Sequence, residues 1–339
     1  MNNNNNKMRV SSFKEDSKFS EEKNCELCDE VDYVDPSEMM RTTDETRRRN
    51  WIESQSKYAF EGLKVLGHRG SMYHELENTR RSFQVVSEMG CDGFELDVFA
   101  LKCGTLVVFH GGGGDVSPGK LDGYCNVKGN IHEYTADEVR SKIRFNPDFH
   151  GFACPSEKIR NNNDAYIPTL EEILQDAKES GVTVKIELKG PGTEKGAVEL
   201  VDKLDMVDQV VFSSFKHGRI AMVREMRPEL NSDGTYKYKT GALFNSKVPD
   251  NFVEIALKAG ATEVHFKYDT CTKERVERSH KAGLHTMVWF RGPIGMAQDL
   301  KSKYRGLGYE GKDMYRIVMA TGVQAMCVNR PHILLDAAR

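Results

Sequence analysis

The feature that most constrains the fold of this chain is an alternation of short β-branched runs with helical stretches closed by glycine, starting at Leu63. Such alternation is typical of βα units, whose strands pair in parallel. The eight strand candidates are Leu63–Gly67, Gly93–Val98, Val182–Leu188, Gln209–Ser213, Gly241–Phe244, Glu263–Lys267, Leu284–Phe290 and Ala325–Val328. Eight strands over roughly 275 residues predict a (β/α)8 TIM barrel. An open doubly wound sheet is the alternative, although no Gly-x-Gly-x-x-Gly turn follows the first strand.

One segment, residues 111–166, breaks the alternation. It follows an extra strand, Thr105–Phe109, which we expect to pair with the second strand through a short connection. The segment opens on a glycine run that lacks the Gly-Lys-Ser/Thr ending of a phosphate-binding loop. It has one helical patch, Thr135–Ile143, whereas a capping box at Thr169-x-x-Glu172 starts the next barrel helix. We therefore predict a loop-rich insertion after the second strand, over one end of the barrel.

The first 58 residues differ in composition from the rest of the chain. They are rich in Asn, Ser and charged residues, with few apolar positions, and cannot bury enough surface to offset the entropy of ordering. We predict a disordered or loosely docked leader over residues 1–58, whose last part, Asp44–Tyr58, could dock as a short helix. Residues 59–339 are predicted to form the barrel, including the insertion.

Charge and cysteine content narrow the possible partners. The net charge is −3 with both signs spread along the chain, so no basic face for nucleic acid or an anionic membrane is evident and a small-molecule partner is favoured. No apolar run approaches the roughly 20 residues of a membrane span, and no secretory signal is present, which predicts a cytoplasmic protein. The eight cysteines are expected to be reduced, and Cys25 and Cys28 lack the further ligands of a zinc site.

Three carboxylates on two predicted strands are candidate metal ligands. In the second strand, the period of two places Glu95 and Asp97 on one face, and Glu187 lies near the end of the third barrel strand. Carboxylates that point into a barrel are costly to desolvate unless a cation compensates them. Because hard ions prefer oxygen ligands, this set predicts a Mg²⁺ or Ca²⁺ site. A solvated strand whose carboxylates pair with lysines is the alternative.

Two histidines lie at predicted strand ends, on the side where barrel active sites are built. His68 follows the first strand and His110 follows the extra strand, which suits a general acid and a general base. Arg69 offers a planar fork for a phosphate or carboxylate, and Lys189 could add positive charge to the same oxyanion.

Taken in order, these motifs resemble the glycerophosphodiester phosphodiesterase family. The resemblance covers roughly Leu63 to Pro331 and is carried by Gly67-His68-Arg69-Gly70, Glu77-Asn78-Thr79, Glu95-Leu96-Asp97-Val98, His110, Ile167-Pro168-Thr169-Leu170-Glu171-Glu172, Ile186-Glu187-Leu188-Lys189 and Asn329-Arg330-Pro331. It implies a TIM-barrel enzyme that uses a divalent cation to hydrolyse a glycerophosphodiester, such as glycerophosphocholine or glycerophosphoethanolamine, to an alcohol and glycerol 3-phosphate.

The resemblance also implies a role for each matching residue. His68 and His110 would be the acid/base pair, Glu95, Asp97 and Glu187 the metal ligands, and Arg69 and Lys189 the phosphate-binding residues. Trp289 is similar to an aromatic residue of the family near the pocket, with core packing as the alternative.

One position departs from the family pattern, because Gly111 follows the second histidine where the family usually has Asp. We expect altered substrate choice from this difference, with loss of activity as the alternative. Two other functions remain open: a phospholipase D-like lyase that forms a cyclic phosphate from lysolipids, and a non-catalytic protein that binds glycerophosphodiesters. The oligomeric state stays open.

Overall fold

Eight parallel strands close into a barrel in the computed structural model of the chain, which describes residues 38–39, 42–55, 62–112, 119–162, 165–292 and 310–338. The strands are β1 (Lys64–His68), β2 (Gly93–Ala100), β3 (Leu106–Val108), β4 (Thr183–Leu188), β5 (Val210–Ser214), β6 (Lys239–Phe244), β7 (Glu263–Lys267), β8 (His285–Trp289) and β9 (Ala325–Val328). Because β1 pairs in parallel with both β2 and β9, the sheet is closed, and β3 pairs antiparallel with β2. The predicted (β/α)8 barrel and its extra strand are confirmed, and the open sheet is wrong.

Most of the helices connect the barrel strands. The helices of the described residues are α1 (Glu45–Gln55), α2 (Arg80–Glu88), α3 (Ala136–Lys142), α4 (Glu157–Arg160), α5 (Leu170–Ser180), α6 (Thr193–Lys203), α7 (His217–Met226), α8 (Phe252–Lys258), α9 (Lys273–Lys281), α10 (Lys312–Met319) and α11 (Pro331–Ala338). Of these, α1 precedes β1, whereas α3 and α4 belong to the insertion. The predicted capping box is present on α5, where the Glu172 amide donates to Thr169 Oγ1 at 3.2 Å and the Thr169 amide donates to Glu172 Oε2 at 2.7 Å. Among helices in the described ranges, none has the length and apolar character needed to cross a membrane.

The insertion has a buried apolar core of its own. Leu121, Ile131 and Phe145 are buried in one cluster with Phe99, which lies on β2, and Phe109, which directly follows β3. The predicted helical patch is confirmed as α3, whereas α4 and a 3-10 turn were not predicted because each is four residues or shorter and carries too little periodicity. The insertion is therefore packed against the barrel through this apolar cluster.

The helix expected near the end of the leader is present as α1. Its Ile52 is buried, and the helix contacts α10. Residues 1–37, with Cys25 and Cys28, lie outside the described part of the chain, so the disorder expected there stays a prediction. Six cysteines within the described ranges are free, as expected.

Buried charged residues on β4 and β7 form a group inside the barrel. Strand parity points Lys185 of β4 and Glu263 and His265 of β7 inward. Lys185 Nζ lies 2.5 Å from Glu263 Oε2, which also lies 2.8 Å from His265 Nε2. All three side chains are buried, and the charges compensate one another. These three residues lie before the carboxyl ends of their strands, where the candidate site is formed.

Candidate active site

Three buried carboxylates converge at the carboxyl end of neighbouring strands β2 and β4. Asp97 lies directly opposite Glu187 in the strand register, and Glu95 is two residues earlier on the same face as Asp97. Each residue offers one oxygen, and these oxygens all lie within 4.8 Å of one another. The set consists of carboxylate oxygens alone, which is the ligand chemistry that Mg²⁺ and Ca²⁺ prefer. The cluster could therefore hold a divalent cation; the particular ion stays a prediction.

Two cations lie against these carboxylates. Lys189 Nζ is 3.2 Å from Asp97 Oδ1 and 3.5 Å from Glu187 Oε1. Arg69 Nε is 3.5 Å from Asp97 Oδ2, while its Nη1 donates to Glu77 Oε1 at 3.0 Å. Four carboxylates (Glu77 with the three of the cluster) thus face two cations, which leaves a formal excess of two negative charges. One divalent cation would neutralise this excess.

The protonation of the carboxyl groups reflects this imbalance. Burial raises the pKa of Glu95 well above its ordinary value, and the nearby charges of Asp97 and Glu187 raise it further. Burial also raises the pKa of Glu77, against the opposing effect of Arg69. Burial acts in the same direction on Asp97, but Lys189, His110 and Arg69 outweigh it and hold the Asp97 pKa below its usual range. In the absence of a cation, protons can take up part of the excess charge.

The β1–α2 connection carries two residues in a left-handed backbone conformation. Arg69 and Asn78 have φ angles of 54° and 56°, and the Asn78 amide donates to the Arg69 carbonyl at 3.0 Å. The Asn78 side chain donates to Asp97 Oδ2 at 3.0 Å, and its Oδ1 is buried without a hydrogen-bond partner in the described structure. Such conformations cost about 1–3 kcal/mol at non-glycine residues and concentrate at functional sites. Here they aim the Arg69 fork and the Asn78 amide at Asp97.

His68 ends β1 and projects into the barrel beside Glu95. Its Nε2 lies 3.8 Å from Glu95 Oε2, and its Nδ1 is 2.7 Å from Asn329 Oδ1, just beyond β9. Burial and the charge of Arg69 lower the His68 pKa to about 3. The imidazole is therefore neutral at pH 7.

His110 lies two residues beyond β3, where the backbone is tied to the carboxylate strand. The Phe109 amide donates to the Asp97 carbonyl at 3.0 Å. Burial, with the charges of Arg69 and Lys189, lowers the His110 pKa well below its ordinary value. Its Nδ1 is buried without a hydrogen-bond partner in the described residues. His110 thus presents a neutral imidazole to the same cluster of charges.

The backbone explains why glycine follows His110 in this chain. Gly111 has a φ of +66°, and a Cβ built on it would lie 2.6 Å from Phe109 Cε1 and 2.9 Å from the Gly119 carbonyl carbon. An Asp at this position would have to adopt a left-handed conformation and displace the start of the insertion. The departure from the family pattern therefore has a local steric cause; the expected change of substrate choice stays a prediction.

Two aromatic residues border the site. Trp289 ends β8, is half-buried, donates from Nε1 to the Phe244 carbonyl at 3.2 Å and packs edge-on against Phe215. Tyr124 of the insertion packs against Phe149, with ring centroids 4.2 Å apart and ring planes tilted by 40°. Burial and the charge of Glu77 raise the pKa of Tyr124 to about 12. A neutral phenol from the insertion thus stands near the charged cluster.

The sequence interpretation assigned no role to several residues that the structure places at the site. Glu77 and Asn78 belong to one of the motifs that carry the family resemblance, and a carboxylate followed by an amide in that motif could have identified them as site residues. Asn329 lies two residues after the inward-facing Cys327 of β9, and this alternation predicts its direction but not its role. The sequence contains no signal that identifies Tyr124 or Glu310, because each lies in a segment without periodicity. The structure brings together all eight of the predicted site residues at one end of the barrel, and their individual roles stay predictions.

The closed (β/α)8 barrel, with a carboxylate cluster, two imidazoles and two cations at its carboxyl end, has the features of a TIM-barrel phosphoric diester hydrolase. The glycerophosphoryl diester phosphodiesterase family matches residues 68–332, and the chain belongs to this family of enzymes. A glycerophosphodiester phosphodiesterase from Caldanaerobacter subterraneus subsp. tengcongensis is 28% identical over 283 residues, which are 81% of this chain and 97% of the relative.

Solved structures share the fold. An Oleispira antarctica phosphodiesterase in complex with the product sn-glycerol-3-phosphate is similar at a TM-score of 0.61 and 20% identity, covering 81% of this chain and 96% of that one. A glycerophosphodiester phosphodiesterase from Agrobacterium tumefaciens is similar at a TM-score of 0.60 and 20% identity, covering 82% and 100% of the two chains. At these identities the likeness establishes the barrel. The activity class follows from membership of the family.

Proposed function

We propose that the protein hydrolyses small glycerophosphodiesters, such as glycerophosphocholine or glycerophosphoethanolamine, to an alcohol and sn-glycerol 3-phosphate in a reaction that requires a divalent cation. The convergence of Glu95, Asp97 and Glu187 within 4.8 Å supports this proposal most strongly. When bound, Mg²⁺ or Ca²⁺ would neutralise the non-bridging phosphate oxygens and acidify the attacking hydroxyl. The structure of the Oleispira protein in complex with its product sn-glycerol-3-phosphate favours the same product here.

The chain's own residues would bind the phosphate and transfer the protons. Arg69 and Lys189 lie against the carboxylates, and in this proposal they would bind oxyanion oxygens beside the cation. His68 Nε2 would accept the proton of the nucleophile, which is water or the neighbouring glycerol hydroxyl, as its bond to phosphorus forms. His110 would have to bind a second proton, which the neighbouring charge of Asp97 favours. As an imidazolium it would donate that proton to the departing alcohol oxygen as the ester bond breaks, and would return to the neutral form.

Trp289 and the location of the protein complete the proposal. The indole, half-buried at the end of β8, would line the substrate pocket with its exposed edge. A cytoplasmic location remains a prediction from the sequence.

Release of glycerol 3-phosphate from glycerophosphocholine, measured with and without a chelator, tests the proposal. We expect activity with Mg²⁺ or Ca²⁺, loss of activity in chelator, and loss in His68→Ala. His280→Ala is the matched control, since His280 is exposed on α9 and bonds to Thr286. Phosphorus NMR distinguishes the product, because a cyclic phosphate as the final product would indicate the lyase. Substrate binding without turnover would indicate the non-catalytic protein.

A further inference from the structure

A chain of buried hydrogen bonds runs behind His68, away from the proposed substrate. Asn329, which accepts from His68 Nδ1 through its Oδ1, donates from Nδ2 to Glu310 Oε2 at 2.6 Å and to the Arg291 carbonyl at 2.6 Å. The Asn329 amide also donates to Glu310 Oε1 at 3.0 Å. Asn329 is fully buried and Glu310 is 1% exposed. These contacts join β1, the turn after β9 and the segment before α10.

The partners of the Asn329 amide determine its orientation. A backbone carbonyl and a carboxylate only accept hydrogen bonds, so both must face the Nδ2 donor. Oδ1 then faces His68, and because an amide oxygen cannot donate, His68 Nδ1 must carry the ring proton. The lone pair is left on Nε2, which lies 3.8 Å from Glu95 Oε2. This is the tautomer that a base acting through Nε2 requires.

Glu310 fulfils its role only as a carboxylate. Oε1 accepts from the Asn329 amide and from the Tyr315 hydroxyl at 3.1 Å, and Oε2 accepts from Asn329 Nδ2. Burial raises the pKa of Glu310 to about 7, and the hydrogen bonds from Asn329 and Tyr315 and the charge of Arg330 offset this effect only in part. A buried carboxylate is costly unless its oxygens accept hydrogen bonds. Here each oxygen of Glu310 accepts one from Asn329, which a side chain that only filled space would not do.

We infer that Glu310 is a positioning residue for His68: it holds the Asn329 amide in the orientation that keeps the proton on His68 Nδ1 and the lone pair on Nε2. The catalytic part of this inference rests on the proposed function, in which His68 Nε2 accepts the proton of the nucleophile. The tautomer itself does not depend on any activity.

Nitrogen-15 NMR of protein labelled at histidine reads the tautomer directly, with the His68 signal assigned from its absence in His68→Ala. In the unsubstituted protein at pH 8, we expect the proton on Nδ1. In Glu310→Gln, the introduced side-chain amide places a donor against an Asn329 or Tyr315 group, and we expect the proton to move to Nε2 in part or in full. A proton on Nε2 in the unsubstituted protein would overturn the inference, whether or not any variant folds.

Kinetics on glycerophosphocholine supply the second readout. We expect Glu310→Gln to lower kcat by about 10- to 100-fold with KM within about twofold, as for other outer partners of active-site histidines. Tyr315→Phe removes one hydrogen bond from the same carboxylate but leaves Asn329 its acceptors, so its kcat should change less than about threefold.

The outcomes separate the two proposals. An unchanged tautomer and kcat in Glu310→Gln would refute the positioning role while leaving the proposed function intact. A shifted tautomer in a protein without phosphodiesterase activity would support the positioning role and refute the proposed function. A loss of kcat in Glu310→Gln with the proton still on His68 Nδ1 would assign Glu310 a structural role only.

Discussion

Replacing Glu95 by Gln tests whether the carboxylate cluster is held together at an electrostatic cost that a cation relieves. Glu95 faces Asp97 and Glu187, and the ligand oxygens of the three residues lie within 4.8 Å of one another. At an effective dielectric of about 20, each pair of ionised groups at this distance repels by about 3.5 kcal/mol. The Gln variant keeps the shape of the side chain and removes both repulsions. Its stability without a cation should therefore be equal to or higher than that of the unsubstituted protein.

The response to a cation should change in the opposite direction. A ligand at 100 times its Kd stabilises the folded state by about 2.7 kcal/mol. With an unfolding entropy of about 0.6 kcal/mol/K for a folded region of roughly 300 residues, the Tm should rise by about 4 °C. Glu95→Gln removes one of three charged ligands, so its Tm rise should be small or absent.

Differential scanning calorimetry at pH 8, in chelator and with excess Mg²⁺ or Ca²⁺, measures both effects. Glu263→Gln is the matched control, because it removes a buried barrel carboxylate that is paired with Lys185 at 2.5 Å. It should lower the Tm in chelator and retain the cation response. An undiminished cation response in Glu95→Gln, or no response of the unsubstituted protein to either ion, would refute the assignment of the cluster.

Three further predictions concern single residues. Gly111→Ala should destabilise the protein by about 1–3 kcal/mol in urea unfolding, because the φ of Gly111 is +66° and Phe109 blocks the added Cβ. Gly112→Ala is the control: its Cβ would have no contact closer than 3.4 Å, so its free energy of unfolding should change by less than about 0.5 kcal/mol. Burial raises the Glu310 pKa from 4.5 to about 7, so the folded state holds this proton more tightly than the unfolded state. The free energy of unfolding should therefore decline as pH rises through that window, by up to about 3 kcal/mol. Urea unfolding at pH 5 and pH 8 should show a smaller decline in Glu310→Gln than in the unsubstituted protein. Tyr124→Phe removes a neutral donor near the phosphate-binding cations and should raise KM for glycerophosphocholine by about tenfold, and an unchanged KM would place the phenol outside the substrate's reach.

Local periodicity was sufficient to predict the barrel and the inward direction of its charged residues. The alternation in Gly93–Ala100 is a property of neighbouring residues, so Glu95 and Asp97 could be assigned to one face from the sequence alone. The Asn329–Glu310 contacts join residues 19 apart across a connection without periodicity, and His68 is 261 residues from Asn329. Closure of the barrel brings these residues together, and closure is a tertiary event that no local pattern encodes.

The limits of strand parity are clearest on β4, where Lys185 and Glu187 both point inward. Parity treats the two residues alike, yet Lys185 pairs across the barrel with Glu263 of β7, 78 residues away, while Glu187 joins Asp97 of the adjacent strand. The first arrangement compensates its charges internally, whereas the second leaves more carboxylates than cations. An excess of buried negative charge at the end of the barrel where substrates bind is costly unless a cation enters. The structural ion pair and the candidate catalytic site therefore differ in the balance of carboxylates and cations around each of them. Only the folded barrel defines that balance.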